Sequence, residues 1–207
     1  RMRSPAPRSR PWSMIRAILW ILTLARVFLV PLFVLTGRTA QDLARGGEDP
    51  STARMLALGL IAFMGVTDLL DGWVARRFDL TSQVGAVADA VADRLVQVGL
   101  VAFLTLSVGP VFTPLPFWFL LVVFGRDLVL LVGVSVLRLR YGALQVVHRS
   151  HGRIASALTF GVVGWSALGL SAWGLLPLML GAAGVSVYSA TIYALDGVAQ
   201  ARAMSGG

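Results

Sequence analysis

Residues 58–106 read LGLIAFMGVTDLLDGWVARRFDLTSQVGAVADAVADRLVQVGLVAFLTL, two apolar stretches whose facing ends carry acids. The first stretch closes on Asp68 and Asp71, and Asp89 and Asp93 stand near the start of the second. Spacings of three and four place each pair on one face of a helix. Ionisable groups in apolar helices are costly, roughly 3 kcal/mol each at a bilayer centre, so four carboxylates here require a compensating partner. They read as a site. The connection from Gly72 to Val84 is short enough to make the two helices antiparallel neighbours, with both acid pairs at one depth.

The rest of the chain has the same character. Of its 207 residues, 57% are hydrophobic and 14% charged, with a mean hydropathy of +0.78. That balance is far from a soluble domain and indicates an integral membrane protein. A bilayer crossing takes about 20 apolar residues, so this length holds six crossings and leaves no room for a separate soluble domain. Hydropathy places them near Ile15–Leu35, Met55–Val74, Val84–Leu106, Leu115–Leu137, Ile154–Ala172 and Leu175–Leu195. The expected fold is an all-α integral membrane protein of six transmembrane helices. A short N-terminal interfacial segment precedes them, because Arg16, Trp20 and Thr23 interrupt the first apolar turns. Residues 1–13 read as a basic flexible arm, 14–200 as the six-helix membrane domain and 201–207 as a flexible tail; the run after the arm is too long for a cleaved signal peptide.

The formal charge is +8, from 18 basic residues, all arginine, against ten acids. In so apolar a chain this excess reflects positive-inside topology and anionic headgroups, so no nucleic-acid partner is expected. Arginines concentrate in the arm, at Arg76 and Arg77, and at Arg138, Arg140, Arg149 and Arg153. These regions should face the cytoplasm, with both termini, in the inner membrane of a prokaryotic cell. The stretch Gly37–Arg54 mixes both signs and reads as a loop on the opposite side. Cysteine is absent, which excludes disulfides and thiolate metal sites.

Four facing carboxylates repel unless some protonate or a divalent cation sits among them. Oxygen-only ligands select hard cations such as Mg²⁺, Mn²⁺ or Ca²⁺, one or two of them, and a phosphate or pyrophosphate is their natural substrate. Gly72, Ala75 and Gly85 leave space either for close helix packing or for a flat base and its ribose; beside the acids, the pocket reading is favoured. Arg76 fits a pyrophosphate partner or a headgroup anchor. Arg126, Arg149 and Arg153, with His148, should lie near the acids and suit an anionic acceptor, although Arg149 is as well explained by positive-inside charge. His148 and His151 lack metal-ligand spacing. Trp118, Phe119 and Trp173 fall near interfaces and read as belt anchors.

Asp68, Asp71, Gly72, Ala75, Arg76, Gly85, Asp89 and Asp93 satisfy D-x-x-D-G-x-x-A-R, eight residues, G-x-x-x-D-x-x-x-D without a mismatch. Eight fixed positions recur by chance on the order of once in ten million chains this size, which excludes coincidence. The pattern resembles the signature of the CDP-alcohol phosphotransferase family, and six spans with cytoplasmic termini resemble it over the whole chain. The resemblance implies transfer of a phosphatidyl group from a CDP-linked lipid, usually CDP-diacylglycerol, to an alcohol, with release of CMP. It implies Asp68, Asp71 and Asp89 as principal ligands of Mg²⁺ or Mn²⁺, two per site, with Asp93 completing the set and acting as general base. Asp68, Gly72, Ala75, Arg76 and Gly85 would hold the CDP moiety, and homodimers are usual.

The acceptor is less sharply written. Residues 22–31, Gly125-Arg126-Asp127 and residues 188–196 resemble phosphatidylglycerophosphate synthases and related cardiolipin synthases, which favours glycerol 3-phosphate, with phosphatidylglycerol next. Arg94, where those enzymes usually carry lysine, resembles relatives that use inositol phosphate. Trp20 and Ala155 also depart from the pattern. Two other classes place acids in membranes: prenyltransferases, which release free pyrophosphate, and cation transporters, whose carboxylates sit at mid-membrane.

Overall fold

The structure is a computed structural model that describes the backbone of residues 11–77, 83–107, 109–141 and 150–205. Side chains are described within those ranges except for 11–24, 69, 71–90, 134, 136–141, 150, 151, 153 and 201–205. Six helices make up the described residues: α1 (Pro11–Arg45), α2 (Ser51–Arg77), α3 (Gln83–Leu106), α4 (Phe117–Tyr141), α5 (Ser150–Ala167) and α6 (Ala172–Ser205). Apolar runs become helices because helices satisfy every backbone donor and acceptor internally. Two stretches, Ala25–Arg45 and Ala172–Gln200, are long and apolar enough to cross a membrane by themselves.

Helix α1 differs from the expectation. It does not end near Leu35 but continues through the first part of the expected loop to Arg45. Thr36 and Thr39 donate their hydroxyls to the carbonyls of Leu32 and Leu35, at 3.0 Å each, so their polarity is absorbed within the helix. Gln41 is buried and tied across the molecule, its Oε1 accepting from Val111 N–H at 3.1 Å. The loop shrinks to residues 46–50. Gly47, with φ of 78°, closes α1: Glu48 N–H donates to Leu43 O at 2.9 Å and Gly47 N–H to Ala44 O at 3.3 Å. Gly169, φ 63°, repeats that closure at the end of α5, Leu170 N–H donating to Trp165 O. At the other terminus, α6 runs to Ser205, so the expected tail from 201 starts inside a helix.

The core is built where α1 crosses α3. Phe33 and Phe103 meet edge to face at 5.0 Å, and Phe103 and Phe112 do so at 6.1 Å. Gly37 admits the Phe103 ring: a Cβ built there would lie 2.6 Å from its Cζ. Gly99 does the same for Val30. Phe119, expected as a belt anchor, is instead fully buried, while Trp173 is exposed as expected. Helices α1 and α2, α5 and α6, and α4 and α6 pack most closely, and α1 also runs along α3.

One end of the bundle is tied by backbone partners. Arg54 of α2 donates to Leu168 O at 2.6 Å, Thr113 N–H donates to Ser166 O at 3.0 Å, and Thr113 Oγ1 donates to Leu170 O at 2.8 Å. The start of α2, the α3–α4 connection and the α5–α6 turn therefore share this end, so α2 and α3 run antiparallel. The acids lie toward the opposite end.

Gly37→Ala is expected to lower stability by roughly 1–3 kcal/mol, because the new Cβ would press on a buried Phe103 ring packed against Phe33 and Phe112. Gly59, with open space around it, supplies the control. Denaturant unfolding in detergent micelles checks the pair, Gly59→Ala being expected to cause no loss.

Candidate active site

The largest fully buried side chain among the described residues is charged. Arg26 of α1 is 1% exposed, and a guanidinium removed from water requires counter-charge. Asp68 and Asp93 supply it. Arg26 Nη1 lies 3.1 Å from Asp68 Oδ1 and 2.5 Å from Asp93 Oδ1, so a single nitrogen joins α2 to α3. Each aspartate side chain is about one-third exposed, at 34% and 33%. The arginine thus backs the pair while the carboxylates keep an accessible edge. Arg26 of α1 thus joins the acids that the sequence expectation placed between α2 and α3, and its cation offsets the repulsion between them.

Helical backbone continues through Asp71, three residues beyond Asp68 in α2, and through Asp89, four before Asp93 in α3. The side chains of Asp71, Gly72, Ala75, Arg76, Gly85, Asp89 and Arg153, and all of Arg149, lie outside the described residues. Among the described residues no three His, Asp or Glu side chains gather. The two expected ligands that are described do fit a hard cation: both are carboxylates, and one oxygen of each converges on a single positively charged atom.

A second polar node adjoins the first, one residue further along α3. Arg94 Nη1 lies 3.5 Å from Asp127 Oδ1 of α4 and donates to Gln97 Oε1 at 3.0 Å. Gln97 Nε2 in turn donates to Ser156 O of α5 at 3.2 Å. Arg126, its side chain 3% exposed, places Nε 4.0 Å from Asp127 Oδ1 and donates from Nη2 to Gly152 O at 3.3 Å. A Cβ at Gly152 would lie at ordinary contact distance from Arg126 Nη2, 3.5 Å, and Tyr193 Oη, 3.8 Å. Asp127 therefore lies within ion-pair distance of two arginines.

Of the expected site residues, the structure brings Asp68 and Asp93 together and sets Arg126 in the adjoining node. Sequence reasoning passed over Arg26 and Gln97 and gave Arg94 no place in a site. Arg26 carried a usable signal, an ionisable residue inside an apolar run.

Residues 19–195 match the CDP-alcohol phosphatidyltransferase family. The chain is 34% identical over 133 residues to "Probable phosphatidylglycerophosphate synthase" of Mycobacterium tuberculosis, covering 64% of this chain and 56% of that protein. It is 37% identical over 122 residues to "Cardiolipin synthase (CMP-forming)" of Streptomyces coelicolor, covering 59% and 51%. A glycerol-3-phosphate 3-phosphatidyltransferase of Pseudomonas fluorescens is 32% identical over 118 residues, covering 57% and 52%. The chain spans about half the length of the curated relatives it matches.

Asp127→Ala removes the anion that Arg94 and Arg126 share. It is expected to lower stability by about 2 kcal/mol, less than for a fully enclosed pair because Arg94 is partly exposed. Unfolding midpoints of purified wild type and variant in one detergent check this, and Asp127→Asn should lie between them.

Proposed function

The chain belongs to the CDP-alcohol phosphatidyltransferase family, and on that premise we propose that it transfers a phosphatidyl group from CDP-diacylglycerol, or a similar CDP-linked lipid, to an alcohol and releases CMP. The single observation that carries the reading is the convergence of Asp68 and Asp93 on one cationic point with an exposed edge. Family members use divalent cations; Mg²⁺ or Mn²⁺, two per site, held by Asp68, Asp71, Asp89 and Asp93, is part of the proposal. The chemistry such an ion supplies is neutralisation of charge on the pyrophosphate.

The chain's own residues do the rest. Asp93, oriented by Arg26, accepts the proton of the acceptor hydroxyl. The hydroxyl oxygen then forms its bond to the β-phosphorus, and the bond from that phosphorus to the bridging oxygen breaks, its electrons leaving with CMP. Gly72, Ala75, Gly85 and Arg76 hold the CDP moiety. Glycerol 3-phosphate is the favoured acceptor. Support comes from the buried Arg126 beside Arg94, which suits a phosphate, and from two relatives named for that acceptor or its product. Phosphatidylglycerol is the second reading, supported by the relative named as a cardiolipin synthase.

The same proposal includes six membrane crossings, the acid-bearing end at the cytoplasmic face of an inner membrane, and a homodimer. The distribution of arginine supports the orientation.

Two experiments test this. With labelled CDP-diacylglycerol, Mg²⁺ or Mn²⁺ and a panel of alcohols, glycerol 3-phosphate should give the main product; Arg126→Gln should raise its KM about ten- to a hundredfold while leaving donor KM nearly unchanged. Asp93→Asn should lose at least roughly a hundredfold in transfer yet still bind CDP-lipid, whereas Asp68→Asn should raise the metal concentration needed for activity. Full turnover by Asp93→Asn removes the proposed base.

A further inference from the structure

We propose that Arg26 is a built-in competitor for the cation site, so that its guanidinium and a divalent ion take the Asp68 and Asp93 oxygens in turn and Arg26 sets how tightly the metal is held. This rests on the reading that those two aspartates are metal ligands. Three observations carry it. First, Arg26 Nη1 is within 3.1 Å of one oxygen of each carboxylate. An ion bound to both of those oxygens at about 2.1 Å has to lie no more than about 4 Å from that nitrogen. Two cations that close, in surroundings poorer in water than bulk solvent, repel strongly. The guanidinium must withdraw or the ion is held weakly, and either outcome has the same sign.

Second, the approach directions differ. Arg26 reaches the pair from the interior, at 1% exposure, while each aspartate retains about a third of its surface. An incoming ion therefore meets the carboxylates from the open side, opposite the side chain it displaces. Third, arginine's charge is independent of pH in the working range, so the guanidinium competes with the ion at any working pH. The same guanidinium gives the carboxylates a counter-charge while the helices assemble, when no metal need be bound.

The test needs no turnover. Mn²⁺ binding to the purified full chain in detergent, without substrate, is followed by the electron paramagnetic resonance of free Mn²⁺. Arg26→Gln should tighten Mn²⁺ at least about tenfold, and Arg26→Lys, which keeps the charge, should stay within about threefold of wild type. Unchanged or weaker binding by Arg26→Gln overturns the inference. Asp68→Asn in the same titration separates the two readings: if it binds Mn²⁺ as wild type does, the metal-ligand reading itself fails, whereas lost binding there with no gain in Arg26→Gln sinks the competitor alone. Should Arg26→Gln not fold, wild type answers by phenylglyoxal modification read by mass spectrometry. Mg²⁺ should raise labelling of Arg26 severalfold, and no rise overturns the proposal.

Discussion

One guanidinium nitrogen, 3.1 Å from Asp68 Oδ1 and 2.5 Å from Asp93 Oδ1, is the contact on which the arrangement of the first three helices depends. Without a cation between them, α2 and α3 would each present a carboxylate to the other, and apolar packing would not compensate. Arg26 resolves this from α1, and α1 is placed to do so because Gly37 and Gly99 let it lie close against α3. Close packing along the apolar part of α1 and charge compensation near its start are thus parts of a single constraint. The aromatic group of Phe33, Phe103 and Phe112 fixes the crossing, and the crossing fixes where the guanidinium ends up.

The two ends of the bundle divide the work. At the end where α2 begins, polar side chains are spent on backbone atoms: Gln41 on Val111, Arg54 on Leu168, Thr113 on Leu170. Such ties satisfy backbone donors and acceptors of the loops. At the other end polar side chains face one another, aspartate with arginine and arginine with glutamine. That end sets buried arginines against partly exposed carboxylates.

Much of this was legible in the sequence. The apolar stretches mark all six helices, and the D-x-x-D spacing with its partner marks the acids. The failures have a common cause, which is that polarity was read as exposure. Thr39 and Gln41 looked like loop residues, yet the hydroxyl is absorbed by the helix's own carbonyl and the amide is buried on a partner 70 residues away. Phe119 sits one residue from the half-exposed Trp118 but turns into the core, and hydropathy does not say which side of a helix faces a neighbour. Arg26 belongs with these. Its place between Asp68 and Asp93 depends on which helix crosses which, and no local spacing encodes that. The pairing of Asp127 with Arg94 is of the same kind, since the two are distant in the chain and near in space.

Asp93 and Arg94 are consecutive, and a step of one residue turns about 100° around a helix. Their contacts follow that turn: Asp93 meets the cation of α1, and Arg94 meets the anion of α4. One stretch of α3 thereby separates an acid-centred node from an arginine-centred one. In the proposed reaction the first would serve a metal and pyrophosphate, and the second an anionic acceptor. The separation is also electrostatic. Two arginines against one aspartate leave the second node with a net charge of +1, enough to favour a phosphate, while Asp127 limits the repulsion between Arg94 and Arg126 that would otherwise push the helices apart. Had Asp127 served Arg126 alone, Arg94 would stand beside Asp93 without an anion of its own and would compete with Arg26 for that carboxylate. The anion on α4 therefore helps keep Asp93 available to the site on the far side of α3.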